Sequence, residues 1–339
     1  MKKKLKIAVA MSGGVDSSVT AALLKKQGFE ASGIFMKLFN SPALEVSEKR
    51  ARKIAKTLGI SFLVFDLRKE FKKRIINYFL SEYEKGRTPN PCVVCNKEIK
   101  FGLLLERAVS LKSDFIASGH YVRKAGEKLL IAKDKNKDQS YFLWKLNQKL
   151  LSRILFPLGN YNKQKVKDLA KELKLPLLNI PESQEICFVG KDINIFLKKY
   201  LKPKQGVIVN EKKEIIGWHK GFCFYTIGQR KGIGLSGGPY YVTGKDLKKN
   251  ILIVSKNKKD LAKKELIAEN VNWISGKKPK FPLRIKAKTR YRQKSFPATV
   301  QPFGKKIKVI FDKPQRAITP GQSVVFYSGQ ELLGGGIIC

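Results

Sequence analysis

The sequence predicts an α/β fold: a parallel sheet with helices on both faces, followed by two small β-rich domains, the last a β-barrel. Three observations carry this. Strand-like apolar runs alternate with helix-periodic stretches through residues 1–201, the pattern of parallel strands joined by crossover helices. From about Lys202 the texture turns to short strands punctuated by glycine and proline. At 339 residues the chain exceeds the usual size of one domain, and it divides at 1–201, 202–264 and 265–339.

In order along the chain, Leu5 to Met11 reads as a buried strand. Val15, Val19, Ala22 and Leu23 then recur at helical spacing, with Gly28 as the stop. Ala31 to Lys37 and Ile60 to Asp66 read as strands, separated by a helix over Ser47 to Leu58 whose apolar face is Ala51, Ile54, Ala55 and Leu58. Helical periodicity returns over Phe71 to Tyr83, over Lys97 to Leu111, and at Val166, Leu169, Ala170 and Leu173. A strand is expected at Asp114 to Ala117. Later strands are expected at Gly206 to Val209, Ile215 to Trp218, Tyr240 to Val242, and within Leu283 to Ile338, where Arg284 to Lys288 and Lys306 to Phe311 alternate in polarity. Ligands of such parallel sheets gather beyond the carboxyl ends of the strands. That rule places the loop at Ser12, the residues after Met36, and Ser118-Gly119-His120-Tyr121 on one rim.

The segment Ser12-Gly13-Gly14-Val15-Asp16-Ser17-Ser18 lies between the first strand and the first helix. Its glycines permit close backbone approach, the helix N-terminus favours anionic oxygens, and Ser17 and Ser18 could add hydroxyl donors. No lysine follows the glycines, so the Walker-type pattern is absent. What remains resembles the loop of enzymes that cleave ATP to AMP and pyrophosphate, with Asp16 suited to Mg²⁺.

Lys and Arg total 69 against 27 Asp and Glu, a formal charge of +42. A one-sided excess of this kind attracts polyanions, and nucleic acid is the leading partner; a lysine-biased genome is the alternative. The basic Lys2 to Lys6 precedes too short an apolar stretch for a secretory signal, and no run approaches the about eighteen apolar residues of a membrane span. Five cysteines, unevenly spread, do not form a secreted disulfide framework. A soluble protein of the reducing cytoplasm is expected.

Cys92-Val93-Val94-Cys95 is a C-x-x-C, and Ser183-Gln184-Glu185-Ile186-Cys187-Phe188 supplies a third cysteine. The pair could be redox-active, half of a zinc site, or core packing. With a helix starting near Lys97, the helix dipole and Lys97 are expected to lower the Cys95 pKa and favour its thiolate. Cys223 and Cys339 read as bystanders lacking polar neighbours.

Taken together, these segments carry a resemblance. The Ser12 loop, Phe35-Met36-Lys37, Gly86-Arg87-Thr88-Pro89-Asn90-Pro91, Cys95-Asn96-Lys97-Glu98-Ile99-Lys100-Phe101 and Gly119-His120-Tyr121 come first. Lys137-Asp138-Gln139-Ser140-Tyr141-Phe142, Ile186-Cys187-Phe188, Gly228-Gln229-Arg230-Lys231-Gly232, Lys288-Thr289-Arg290-Tyr291-Arg292 and Thr319-Pro320-Gly321-Gln322-Ser323 follow in order. The chain resembles, over its whole length, the bacterial tRNA-specific 2-thiouridylases.

The resemblance implies an adenine nucleotide alpha-hydrolase-like catalytic domain, a central β-rich domain and a tRNA-binding barrel. The implied reaction is exchange of the C2 oxygen of the wobble uridine for sulfur, after ATP adenylates that oxygen. Cys187 would carry a persulfide delivered by a cysteine desulfurase or relay protein, with Cys95 as its partner thiol. Cys95 would either release hydrosulfide, leaving a Cys95–Cys187 disulfide, or leave the persulfide to attack the activated carbon. Ala10, Met11, Ser12, Gly13, Gly14, Val15, Asp16 and Ser17, with Met36 and Gly119, are implied to hold ATP. Asn90, Pro91 and Cys92 are implied at the target base, His120 and Lys137, Asp138 and Gln139 at the tRNA, and Arg290, Tyr291 and Gln322 at the anticodon region. Extruding and stacking a loop base suits such residues.

Cys92 stands where one well-known version of the family has aspartate, so that residue's role does not transfer. Three thiols, Cys92, Cys95 and Cys187, could instead hold a [4Fe–4S] cluster with one open iron. Two further readings stay open: an ATP-pyrophosphatase acting on a small molecule, and a noncatalytic RNA-binding protein.

Overall fold

The computed structural model describes residues 4–176, 186–190 and 192–339. Ser183, Gln184 and Glu185 of the third cysteine motif lie outside the described residues. The strands are β1 (Lys6–Ala10), β2 (Glu30–Lys37), β3 (Ser61–Asp66), β4 (Phe115–Ala117), β5 (Val122–Ala125), β6 (Lys128–Ile131), β7 (Ile154–Leu155), β8 (Gly206–Val209) and β9 (Ile215–His219). They continue with β10 (Tyr241–Asp246), β11 (Ile251–Ser255), β12 (Ala262–Trp273), β13 (Leu283–Lys288), β14 (Phe296–Phe303), β15 (Lys306–Arg316), β16 (Ser323–Ser328) and β17 (Glu331–Ile338).

The first sheet runs β3-β2-β1-β4-β7, and every pairing in it is parallel. Its central strand is apolar on both sides because both faces are covered. Ile7 and Val9 of β1 join Val19, Ala51, Ile54 and Val166 on one face, while Ala8 joins Leu104, Ala108 and Leu151 on the other. The helix preceding β3 starts at Pro42, earlier than Ser47, because Ser41 sits at its N-cap and proline suits the first helical position.

A second sheet, β10-β11-β8-β9, packs Ile208, Val242, Leu252 and Val254 inward. In the third, β12-β15-β14-β13-β16-β17 closes on itself through β12–β17, making a six-stranded barrel. Alternation along β13, β14 and β15 turns Ile285, Ala287, Ala298, Val300, Val309 and Phe311 into the barrel core. The β5–β6 hairpin, which lies in sequence among the first sheet's strands, pairs instead with β17, through Leu130 opposite Glu331 and Leu129 opposite Leu332. No helix among the described residues is long and apolar enough to cross a membrane.

Candidate active site

The carboxyl ends of β1, β2 and β4 are neighbours, since Val9 lies opposite Gly33 and Ala117 in register. The predicted rim therefore exists. Beyond Ala10, the N–H of buried Met11 donates to the Ile34 carbonyl at 2.8 Å, and Met36 follows at the end of β2. Gly13 turns at φ +74, where a Cβ would stand 2.4 Å from the Ser47 carbonyl oxygen, and Arg50 Nε donates to the Gly13 carbonyl at 2.7 Å. The 12-residue helix Val15–Lys26 begins behind the loop with no side chain capping its N-terminus, so its first N–H groups are available to an anion.

The serine hydroxyls are arranged otherwise than expected. Ser18 is buried and donates to the Gly14 carbonyl at 2.8 Å; Ser17 Oγ donates to the same carbonyl at 3.1 Å and accepts from the Ser12 N–H at 3.1 Å. They shape the loop from within, because a buried hydroxyl takes the nearest free carbonyl.

Asp16 is already partnered. Lys163 Nζ stands 2.7 and 2.8 Å from its two carboxylate oxygens, and the Tyr121 hydroxyl donates to Oδ1 at 2.8 Å. In this arrangement Lys163 neutralises Asp16, whose carboxylate would take Mg²⁺ only by giving up that ion pair, with phosphate oxygens supplying further ligands. Neither Lys163 nor Tyr121 was among the expected site residues. Tyr121 was legible as a neighbour of His120; Lys163, in a lysine-rich helix, carried no distinguishing signal.

Gly119, Tyr121 and the loop are locked together. A Cβ at Gly119 would meet the Asp16 carbonyl carbon at 2.8 Å and the Ser17 nitrogen at 2.9 Å, so only glycine lets β4 run against the loop. Between them, His120 faces Phe101 and Phe156, its Nδ1 sharing a 2.9 Å hydrogen bond with Ser118 Oγ. Burial, with a smaller contribution from Lys100, pushes its pKa down to about 3, so the imidazole is neutral at physiological pH.

The sulfur site corrects one expectation outright. The helix begins at Pro91, with Asn90 at its N-cap, and continues through a π-helical stretch Asn96–Leu103 into Leu104–Ser110. Cys95 therefore lies inside the run, buried with Phe71, Ile75, Ile99 and Leu103, and desolvation pushes its thiol up to about 12. The expected lowering by dipole and Lys97 does not arise: the cation that acts on Cys95 is Lys100, and removing water penalises the thiolate more than that charge favours it. Cys92, in the first turn, is also raised by burial.

Phe188 packs with the Cys95 cluster, edge-on to Phe71 at 5.6 Å and Phe79 at 5.2 Å, which brings Cys187 into the same neighbourhood. Cys187 is exposed as a residue, yet desolvation pushes its thiol up to about 11. Each of the three thiols feels the positive charge of Lys100, and Cys92 and Cys187 act on Cys95. All five cysteines are free thiols. Among the described residues no group of three His, Cys, Asp or Glu side chains is arranged to hold a metal ion, so no step is routed through an iron–sulfur cluster. Cys339 is not without polar neighbours, since Lys306 Nζ lies 3.3 Å from its sulfur.

The expected RNA-facing residues fall into two groups. Gln139 accepts the Tyr121 N–H at 2.9 Å; Asp138 is buried, its carboxylate taking bonds from Ala132 N, Ser140 N and Ser140 Oγ, so it acts on the shape of the loop that carries Lys137. Gln322 Nε2 donates to the Thr88 and Pro89 carbonyls next to Asn90, and Pro91 is buried at the helix start. Arg290 donates to the Ala317 carbonyl at 2.8 Å beside a cavity of about 430 Å³ lined by Thr88, Thr226, Gln229 and Gln322. Tyr291 packs on Phe142 at 4.4 Å.

Residues 5–191 match the tRNA methyl transferase HUP domain, 194–256 the tRNA methyl transferase PRC-barrel domain, and 263–338 the aminomethyltransferase beta-barrel domain. The chain is 48% identical to the tRNA-specific 2-thiouridylase MnmA 2 of Thermoanaerobacter sp. (strain X514), over 98% of this chain and 97% of that one. It is 47% identical to the tRNA-specific 2-thiouridylase MnmA of Halothermothrix orenii, over 98% of each. Among solved structures, the U34-tRNA thiolase NcsA of Methanococcus maripaludis with its [4Fe-4S] cluster is similar at 23% identity and a TM-score of 0.39, over 58% of this chain and 63% of that one.

Proposed function

The chain belongs to the tRNA-specific 2-thiouridylase family, and on that premise we propose that it replaces the C2 oxygen of the wobble uridine of tRNA by sulfur, with ATP as the activating substrate. The observation that carries this reading is the segment 119–121. Gly119 abuts the phosphate loop, Tyr121 holds Asp16, and His120 between them lies within the field of the same Lys100 that acts on the three thiols. A nucleotide bound at the loop and a base presented to the thiols would meet across this segment.

Two chemical demands follow from the substrate. A ring carbonyl oxygen is a poor leaving group, and sulfide must reach the carbon without loss to water. In the first step the uridine O2 attacks the α-phosphorus of ATP; the α–β bridging bond breaks and pyrophosphate departs. The bare N–H groups of the helix Val15–Lys26 favour the phosphate charge. In the second, Cys187 carries a persulfide loaded by an external persulfide donor. The Cys95 thiolate attacks Cys187 Sγ, the S–S bond breaks, and hydrosulfide leaves as a Cys95–Cys187 disulfide forms. Hydrosulfide adds at C2 and AMP departs with the original oxygen. Two electrons from a dithiol reductant restore the cysteines. The neutral His120 can accept or donate a hydrogen bond to the base without adding charge. Recognition of the anticodon region is assigned to Arg290, Tyr291 and Gln322, with the net charge of +42 drawing in the RNA.

The test separates the two steps. With a tRNA transcript and ATP, Cys187→Ser should abolish 2-thiouridine measured by nucleoside mass spectrometry, a loss of at least about a hundredfold, while RNA-dependent pyrophosphate release persists. Undiminished thiolation by this variant would overturn the sulfur route. Pyrophosphate release indifferent to tRNA would favour a small-molecule substrate.

A further inference from the structure

The glycine loop has no lysine of its own, yet a polyphosphate needs a cation as well as N–H donors. The fold supplies one from 147 residues away. Lys163 opens the helix Lys163–Glu172, and its backbone is fixed at both sides: its N–H donates to Asp134 Oδ2 at 3.0 Å, and the preceding Asn162 caps the helix by accepting the Lys165 N–H at 2.8 Å. From this anchored base the side chain reaches across to Asp16, in the first turn of the helix behind the loop, and passes 5.9 Å from the centre of the Tyr121 ring. The Lys163 side chain is 12% exposed and that of Asp16 34%.

A half-buried ion pair is a weak source of net stability, because desolvation offsets much of the attraction between the charges. Its placement is the informative feature. Asp16 N–H belongs to the very turn that offers donors to an anion, so Lys163 stands within a side-chain rotation of any phosphate seated there. Lysine suits such a role: it is a compact charge on a four-carbon stem and can exchange one oxyanion for another.

Resting on the reading that the loop binds ATP, we propose that Lys163 is the polyphosphate-binding lysine of this site, resting on Asp16 without nucleotide and transferring to the β- and γ-phosphate oxygens when ATP enters. Tyr121 then keeps Asp16 in place through its own hydrogen bond.

Calorimetric binding of ATP, inorganic pyrophosphate and AMP to the full-length chain tests this, with Lys163→Met, Lys163→Gln and Lys163→Arg. The first two should weaken ATP and pyrophosphate at least about tenfold and AMP less than twofold, and arginine should restore most of the loss. Equal weakening of AMP and ATP would mean that the lysine merely holds the loop, and unchanged ATP affinity would mean that it does neither; each overturns the proposal. If one neutral variant fails to fold by circular dichroism, the other neutral variant and the arginine variant still decide. Wild-type protein that binds no ATP would sink the ATP reading and this one with it, whereas wild-type binding with unaffected variants sinks this one alone.

Discussion

Desolvation holds the Cys187 thiol at about 11 and the Cys95 thiol at about 12, so at neutral pH both are overwhelmingly protonated in the resting chain. Thiolate, the reactive form, then grows about tenfold per pH unit until the pH reaches the thiol pKa. Alkylation of Cys187 by iodoacetamide, followed by peptide mass spectrometry, should accelerate about tenfold per unit from pH 8 to pH 10; a rate already level at pH 8 would contradict the raised value. A high resting pKa also protects a thiol from adventitious oxidation, since susceptibility follows thiolate character. At this scale, placement was legible: the loop at Ser12, Met36 and Gly119 lie on the rim that the strand order predicts. Charge state was not. The sign of the Cys95 shift depends on Phe71, Ile75, Ile99 and Leu103 closing around it, and three of the four lie outside its own local motif or a turn beyond it.

Element boundaries decide what each residue can do. The helix that carries Cys92 and Cys95 starts where Pro91 permits and Asn90 precedes it, six residues earlier than apolar periodicity suggests. Periodicity misses this start because Pro91–Cys95 is only five residues long, too short to show a repeating apolar face before the π-helical stretch Asn96–Leu103 begins. The helix Lys163–Glu172, by contrast, was legible from Val166 and Ala170, both buried as expected. Its Asn162 cap anchors the base of Lys163. Asn162→Ala should destabilise the protein by about 1 kcal/mol, the usual cost of losing such a cap, and loosen ATP binding more than tRNA binding. Urea titration and ATP calorimetry measure the two effects, and a variant with intact stability would show that the cap bond contributes nothing in the folded chain.

At the scale of the whole molecule, the catalytic sheet and the barrel share one core. Tyr141, Leu143 and Trp144 from the first part of the chain pack with Val325, Tyr327, Leu332 and Ile337 of β16 and β17. Asn272 of β12 donates to the Trp144 and Leu146 carbonyls at 2.7 and 2.8 Å, and the Tyr141 hydroxyl donates to the Ser323 carbonyl at 2.9 Å. None of this was legible from local sequence, because the choice of partner for the β5–β6 hairpin is made by tertiary packing, and a hairpin carries the same pattern whichever sheet it joins. The consequence is a mechanical coupling of the first sheet's carboxyl rim to the C-terminal barrel. Thr88 N–H donates to the Pro320 carbonyl at 2.9 Å, Arg87 pairs with Glu269 at 3.0 Å, and Lys245 donates to the Gly86 carbonyl at 2.8 Å, so the strap leading into Asn90 is held from both β-rich units. Trp144 is wholly buried at the centre of the shared core. Trp144→Ala should therefore cost about 3–5 kcal/mol, the range for truncating a large buried aromatic, and the loss should fall on the sheet and the barrel together. Guanidinium unfolding followed by far-ultraviolet circular dichroism should show one transition moving to lower denaturant; a transition that splits, with the barrel's part unmoved, would show two lobes that fold separately and would remove the coupling between sheet and barrel.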